Sequence, residues 1–150
     1  MRRIPGVLSV LLLLLCSAHD HLSAQDSGRG MQSGQANGIQ LDQNYPNPFN
    51  PETTIPFTLG EELFVDGRPA VVTIRIFNIL TQLVANPVAL RHPSGEGVPV
   101  DQLEFMQPGR YEAYWDGTDQ MGRQVASGIY LMQLTVNGFR PVTRKMYVAK

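Results

Sequence analysis

Cysteine is almost missing from this chain: Cys16 is the only one in 150 residues, and it sits in an N-terminal apolar run. Once that run is removed no thiol remains, which excludes disulfides, zinc-thiolate sites and thiol catalysis together. Histidine is nearly as scarce. His19 and His21 lie close to the N-terminus, leaving His92 alone in the body of the chain. A Ser-His-Asp or Cys-His site would therefore have to recruit a residue from a Pro/Gly-rich loop. An excess of charge of either sign is lacking too, since 12 Lys and Arg meet 13 Asp and Glu, with no basic cluster past the N-terminal segment beyond Arg144-Lys145. Nothing reads as an electrostatic footprint for nucleic acid or anionic lipid. No Walker loop, G-x-G-x-x-G or H-E-x-x-H motif occurs. A non-enzymatic protein without cofactors is expected. No apolar run approaches the roughly 20 residues a helix needs to cross a bilayer, which argues against a stable transmembrane segment.

What is present begins with an export signal. Arg2 and Arg3 precede an apolar run over residues 7–15, and Leu22-Ser23-Ala24 ends it with small residues; this three-part pattern is a secretory signal peptide over 1–24. Leu15 stands before Cys16 where a lipoprotein signal needs a small residue. Residues 25–40 are mainly Gly, Ser, Gln and Asn and read as a flexible linker. Residues 41–150 have the length of one domain, stabilised by packing alone.

Short runs rich in Val, Ile, Thr, Phe and Tyr, broken by Gly, Pro, Asn and Asp, predict strands over 53–59, 70–78, 82–90, 100–106, 110–115, 128–137 and 142–149. About seven such strands imply an all-β, immunoglobulin/fibronectin III-like antiparallel β-sandwich. Alternation assigns faces: Val72, Ile74 and Ile76 inward with Thr73 and Arg75 toward water, and Tyr130, Met132, Leu134 and Val136 inward. Asn137-Gly138 predicts a two-residue hairpin turn. Gly128 starts the long penultimate strand after Ala126-Ser127. The stretch His92-Pro93-Ser94-Gly95-Glu96-Gly97 reads as an exposed loop.

Two motifs invite chemistry. Asp116 and Asp119 could offer carboxylates to calcium, but they fall short of an EF-hand loop; the favoured reading is that Asp116 caps a tight turn in which Gly117 supplies positive φ. Trp115 shares a strand face with Tyr111 and Ala113 and is expected as a core indole rather than a sugar-stacking platform. The most unusual stretch is Asn44, Tyr45, Pro46, Asn47, Pro48, Phe49, Asn50 and Pro51. Its prolines fix φ and push their predecessors toward extended backbone, so a stiff, irregular lead-in is expected, with Tyr45 and Phe49 tucked against the sandwich.

That stretch, with its flanks at Leu41-Asp42-Gln43 and Glu52-Thr53-Thr54-Ile55, resembles the opening of the type A C-terminal sorting domain of the type IX secretion system. Residues 72–80, Pro108-Gly109-Arg110-Tyr111, Trp115-Asp116-Gly117, Ala126-Ser127-Gly128-Ile129-Tyr130 and Arg144-Lys145-Met146 continue the family's order. The region also resembles the Ig-like domain of the flagellar hook-capping protein. The resemblance implies a module of protein transport that passes through the periplasm to the cell surface or medium, with outer-membrane secretion machinery as partner. Residues 44–51 would be the recognition motif, and Trp115, Asp116, Gly117, Gly128, Tyr130 and Lys145 structural positions. Two departures stand out: little cargo lies between the signal peptide and Leu41, and Thr81 stands where the family commonly has Gly. The alternative is a structural or adhesive module of an envelope assembly, joining a protein partner at exposed strand edges.

Overall fold

A computed structural model describes residues 35–150; the expected signal peptide and most of the expected linker lie outside them. Ten strands follow one another: β1 (Gln35–Ala36), β2 (Ile39–Leu41), β3 (Thr53–Leu59), β4 (Ala70–Asn78), β5 (Leu83–Ala85), β6 (Val88–Leu90), β7 (Leu103–Phe105), β8 (Gly109–Trp115), β9 (Gly128–Val136) and β10 (Val142–Val148). One sheet runs β1-β2-β3-β8-β6. The other runs β10-β9-β4-β5, with β7 also on β4. All strand pairs are antiparallel, and the two inner faces enclose the core, which is the sandwich that the alternation implied.

The core follows the expected parity. Val72, Ile74, Ile76, Met132 and Leu134 are fully buried, with Tyr130 and Val136 nearly so. On β8, Ala113 and Trp115 face inward in register with Ile55 and Thr53 of β3.

Five expectations need correction. The fold begins before Leu41: β1 and β2 form a hairpin whose turn is Asn37-Gly38, both at positive φ, and Ile39 is fully buried. Asn137-Gly138, by contrast, does not close a two-residue hairpin, because Val142 pairs with Leu134 and leaves a longer connection. Only Gly138 takes positive φ there, and the Asn137 carboxamide accepts from the Val71 amide instead (3.0 Å). The expected strand 82–90 is two strands in different sheets. Pro87 lacks the N–H to continue a ladder, and the chain crosses over at Asn86, whose side chain donates to the Ile74 carbonyl (3.0 Å). Thr73 is buried, not wetted, because the Gln102 segment folds over it and its hydroxyl accepts the Gln102 amide (2.9 Å). Finally, Val100 leads into β7 without belonging to it, since Gln102 turns through a positive φ.

Candidate functional site

The proline-rich segment 44–51 is a strap across one end of the sandwich. Its two ends enter the fold by antiparallel contact, the Tyr45 and Thr54 main chains bonding each other at 2.9 Å in both directions. Asn44 is buried, and its amide donates to the Pro46 carbonyl (3.1 Å) and the Thr53 hydroxyl (2.9 Å). The Thr53 hydroxyl in turn donates to Pro46 (3.0 Å). This closes the irregular loop on itself, so its buried polar side chains are satisfied within the protein. The bonds Tyr45-Pro46, Asn47-Pro48 and Asn50-Pro51 are cis.

Phe49 is the strap's anchor. It is buried, with its ring 5.5 Å from Trp115, while Trp115 meets Tyr130 at 5.8 Å on another side. The Trp115 indole N–H donates to the Thr118 carbonyl (2.8 Å) and the Tyr130 hydroxyl to Ala126 (3.0 Å), so each polar tip is satisfied. A buried indole between two rings is a core element, and a sugar-stacking role has no exposed face to use. Tyr45 does not tuck in as expected. It is half exposed and its hydroxyl donates to Glu112 (2.7 Å). That bond raises the Tyr45 pKa and lowers that of Glu112, which also holds Arg91 at 2.7 Å.

The strap also occupies the outer edge of β10. The Phe49 amide donates to the Tyr147 carbonyl and the Ala149 amide to the Phe49 carbonyl, both at 3.0 Å. The Tyr147 main-chain amide donates to the Asn47 side chain (2.9 Å), and the Gln43 side-chain Nε2 to the Lys145 carbonyl (3.0 Å). The longest edge strand of the fold therefore offers few unpaired groups for strand addition. The edge of β6 is covered likewise by residues 97–100, with Ala89 donating to Val98 (2.7 Å).

The Asp116–Gly117 turn locks against the strap from the other side. Asp116 accepts from the Thr118 amide (2.9 Å) and hydroxyl (2.6 Å), and Gly117 sits at φ +73° under the Pro51 carbonyl. Asp119 accepts from the Met121 and Arg123 amides (2.9 and 3.0 Å) and from the Arg123 guanidinium (3.0 Å). The Arg123 amide and then its guanidinium hold the Asp119 carboxyl below the usual range. Both carboxylates border a cleft of about 480 Å³ with Asp101 and Tyr114, and both serve as turn caps, Asp116 through Oδ1 and Asp119 through both oxygens. Among the described residues, no group of three or more His, Cys, Asp or Glu side chains is placed to hold a metal ion.

His92 is not the solvated loop residue expected from its neighbours. It is buried, packs edge-on to Phe105 at 4.8 Å, and accepts the Ser94 amide at Nδ1 (3.1 Å). That assigns the proton to Nε2, which donates to the Glu104 carbonyl (2.9 Å). Both nitrogens are thus used in pinning the loop to β7, and no local signal in a Pro/Gly-rich stretch could have foretold it.

The structure thus gathers the strap, the Trp115 turn, the Gly128–Tyr130 entry of β9 and the Lys145 region of β10 at one end of the sandwich. No family model matches the chain, and no curated protein matches it. Among solved structures, dimeric latent PorU from Porphyromonas gingivalis is similar, with a TM-score of 0.51 and 21% identity over 74% of this chain. The match spans only 9% of that protein. The likeness shows the fold, an antiparallel β-sandwich.

Proposed function

We propose that this chain is a non-enzymatic exported module whose sandwich is read by outer-membrane secretion machinery, as its resemblance to type IX sorting domains implies. The observation that carries the reading is convergence. Asn44–Pro51, Trp115–Gly117 and Tyr130 are far apart in sequence, and they meet around Phe49 and Pro51 through ring contacts and close backbone approach, while the Lys145 carbonyl is held by Gln43 just before the strap. A motif whose residues are spent on one local architecture supports a shared shape as what the partner reads. The role needs no catalysis, in keeping with the use of both His92 nitrogens in loop packing. Attachment through open strand edges is the weaker alternative, because the strap would first have to leave β10.

The test inserts a reporter between Gln32 and Ser33 of the full chain in a host with a type IX system. Surface or medium recovery of the reporter is expected, and mass spectrometry of both termini would locate processing. Retention of the intact chain in the periplasm would overturn the sorting role and favour the envelope-module alternative.

A further inference from the structure

Residues 120–150 contain five basic side chains, Arg123, Arg140, Arg144, Lys145 and Lys150, and no acidic one, whereas residues 35–119 contain eleven acidic and four basic. The pairing is just as uneven. Arg68, Arg75, Arg91, Arg110 and Arg123 each stand within 4 Å of a carboxylate. Among the described residues, Arg140, Arg144, Lys145 and Lys150 have no such partner, and all four belong to β10 or its flanks. Lys145 lies on the outer face of β10 with exposed Arg140 and Lys150 beyond its two ends, and the positive potential they leave selects an acidic partner.

An apolar centre lies beside them. Tyr147 and Ile129 are a direct cross-strand pair and remain 44% and 43% exposed, on the outer face that also carries Lys145. The strap's Pro46 and Pro48 are exposed along the adjoining edge. Neither segment presents this surface alone, because the Asn47 side chain and the Phe49 main chain set the position of Tyr147, and Tyr147 sets theirs.

We propose that the partner's docking surface is composite, made jointly by the proline strap and the outward side of β10, and that it fits a protein surface with an apolar centre rimmed by carboxylates. This rests on the sorting reading above and names the chemistry of its partner. Recognition of anionic lipid calls for a cluster of about four to eight cations. Here four are spread over eleven residues and Arg144 is turned onto the Leu41 carbonyl, so a protein surface is favoured.

The experiment uses the full chain carrying the reporter between Gln32 and Ser33. Lys145→Glu is expected to lower surface recovery by roughly tenfold or more, as like-charge contact with an acidic partner requires, with an unchanged melting temperature. Asn47→Ala removes no charge but frees Tyr147; recovery is expected to fall and exchange of the Tyr147 amide to quicken, in a chain shown by circular dichroism to be folded. Glu61→Lys, in the short 3-10 turn over Glu61–Leu63 that lies outside this surface, should leave recovery unchanged. If the parent chain is exported and Lys145→Glu is exported equally well, the acidic partner is wrong; if folded Asn47→Ala is exported equally well, the composite surface is wrong. Failure of the parent chain itself to leave the periplasm would instead sink the sorting reading. Sedimentation with phosphatidylglycerol vesicles, or self-association in the ultracentrifuge, that Lys145→Glu abolishes would assign the surface to lipid or to a second copy and overturn the proposal.

Discussion

A methyl group at position 117 would sit 2.2 Å from the Pro51 carbonyl oxygen, on a backbone whose φ of +73° already disfavours side chains. Because the neighbour is backbone and cannot swing aside, Gly117→Ala is expected to cost more than the ~1 kcal/mol of a glycine replaced in an incompatible conformation. Urea denaturation measures it, and a loss well below that figure would mean that the strap yields. Thr81 is the opposite case. A β-branched residue at φ 60° is strained, and its side chain is exposed at the β4–β5 turn. Thr81→Gly is expected to raise stability by about 0.5–1 kcal/mol, the relief of left-handed strain less the added freedom of the unfolded chain. Tyr114 gives a pH signature. Its hydroxyl donates to Glu52, and that bond, then burial, raises its pKa to about 12. A raised folded value contributes stability that is complete below the unfolded value near ~10 and is lost as pH rises through the folded one. Stability should therefore fall between pH 10 and 12 more steeply in the parent than in Tyr114→Phe, and equal slopes would refute the assigned bond.

At the scale of elements, Phe49 makes the strap part of the sheet. Phe49→Ala is expected to cost about 3–5 kcal/mol as a buried aromatic truncation. It should also speed exchange of the Ala149 and Tyr147 amides by more than that of the Ile74 amide in β4, because the clasp is lost locally on top of the global loss. Equal acceleration at all three would mean that Phe49 acts on global stability alone. Which elements could be read beforehand follows from how local their causes are. The spans of β3 and β4 were legible because Val72, Ile74 and Ile76 alternate in a run bounded by breakers. The break between β5 and β6 was not, because Leu83, Val84, Ala85, Val88, Ala89 and Leu90 are apolar on both sides of Asn86-Pro87 and the change of sheet leaves the pattern intact. Strand β2 escaped because only Ile39 and Leu41 mark it in a Gln/Gly setting; its burial is decided by β3, with which it pairs. The proline motif was legible as unusual, and its anchor Phe49 as apolar. Its hold on β10, a hundred residues away, depends on main-chain groups that no sequence pattern displays.

At the scale of the whole molecule, two clusters pin the sheets together. Phe49, Trp115 and Tyr130 form one beneath the strap. Phe57, Phe105, Tyr111 and His92 form the other, with ring centroids 4.6 to 5.8 Å apart. Phe49, Trp115, Tyr130, Phe57 and Phe105 belong to one continuous set of buried residues running from Ile39 to Val148, with Tyr111 packed against it. With no disulfide to hold either end, continuity of packing is what couples them, and a continuous core of this size unfolds as one unit. The sole tryptophan lies in the first cluster, so its fluorescence reports that end, whereas far-ultraviolet circular dichroism reports all strands. The two probes are expected to give the same urea midpoint in the parent chain. In His92→Ala, which removes an edge-on ring and two hydrogen bonds from the distant cluster, both midpoints should fall together even though Trp115 is untouched. A fluorescence midpoint that stays in place while the dichroism midpoint falls would show that the strap end is its own cooperative unit, and that the clasp at β10 holds independently of the other half of the core.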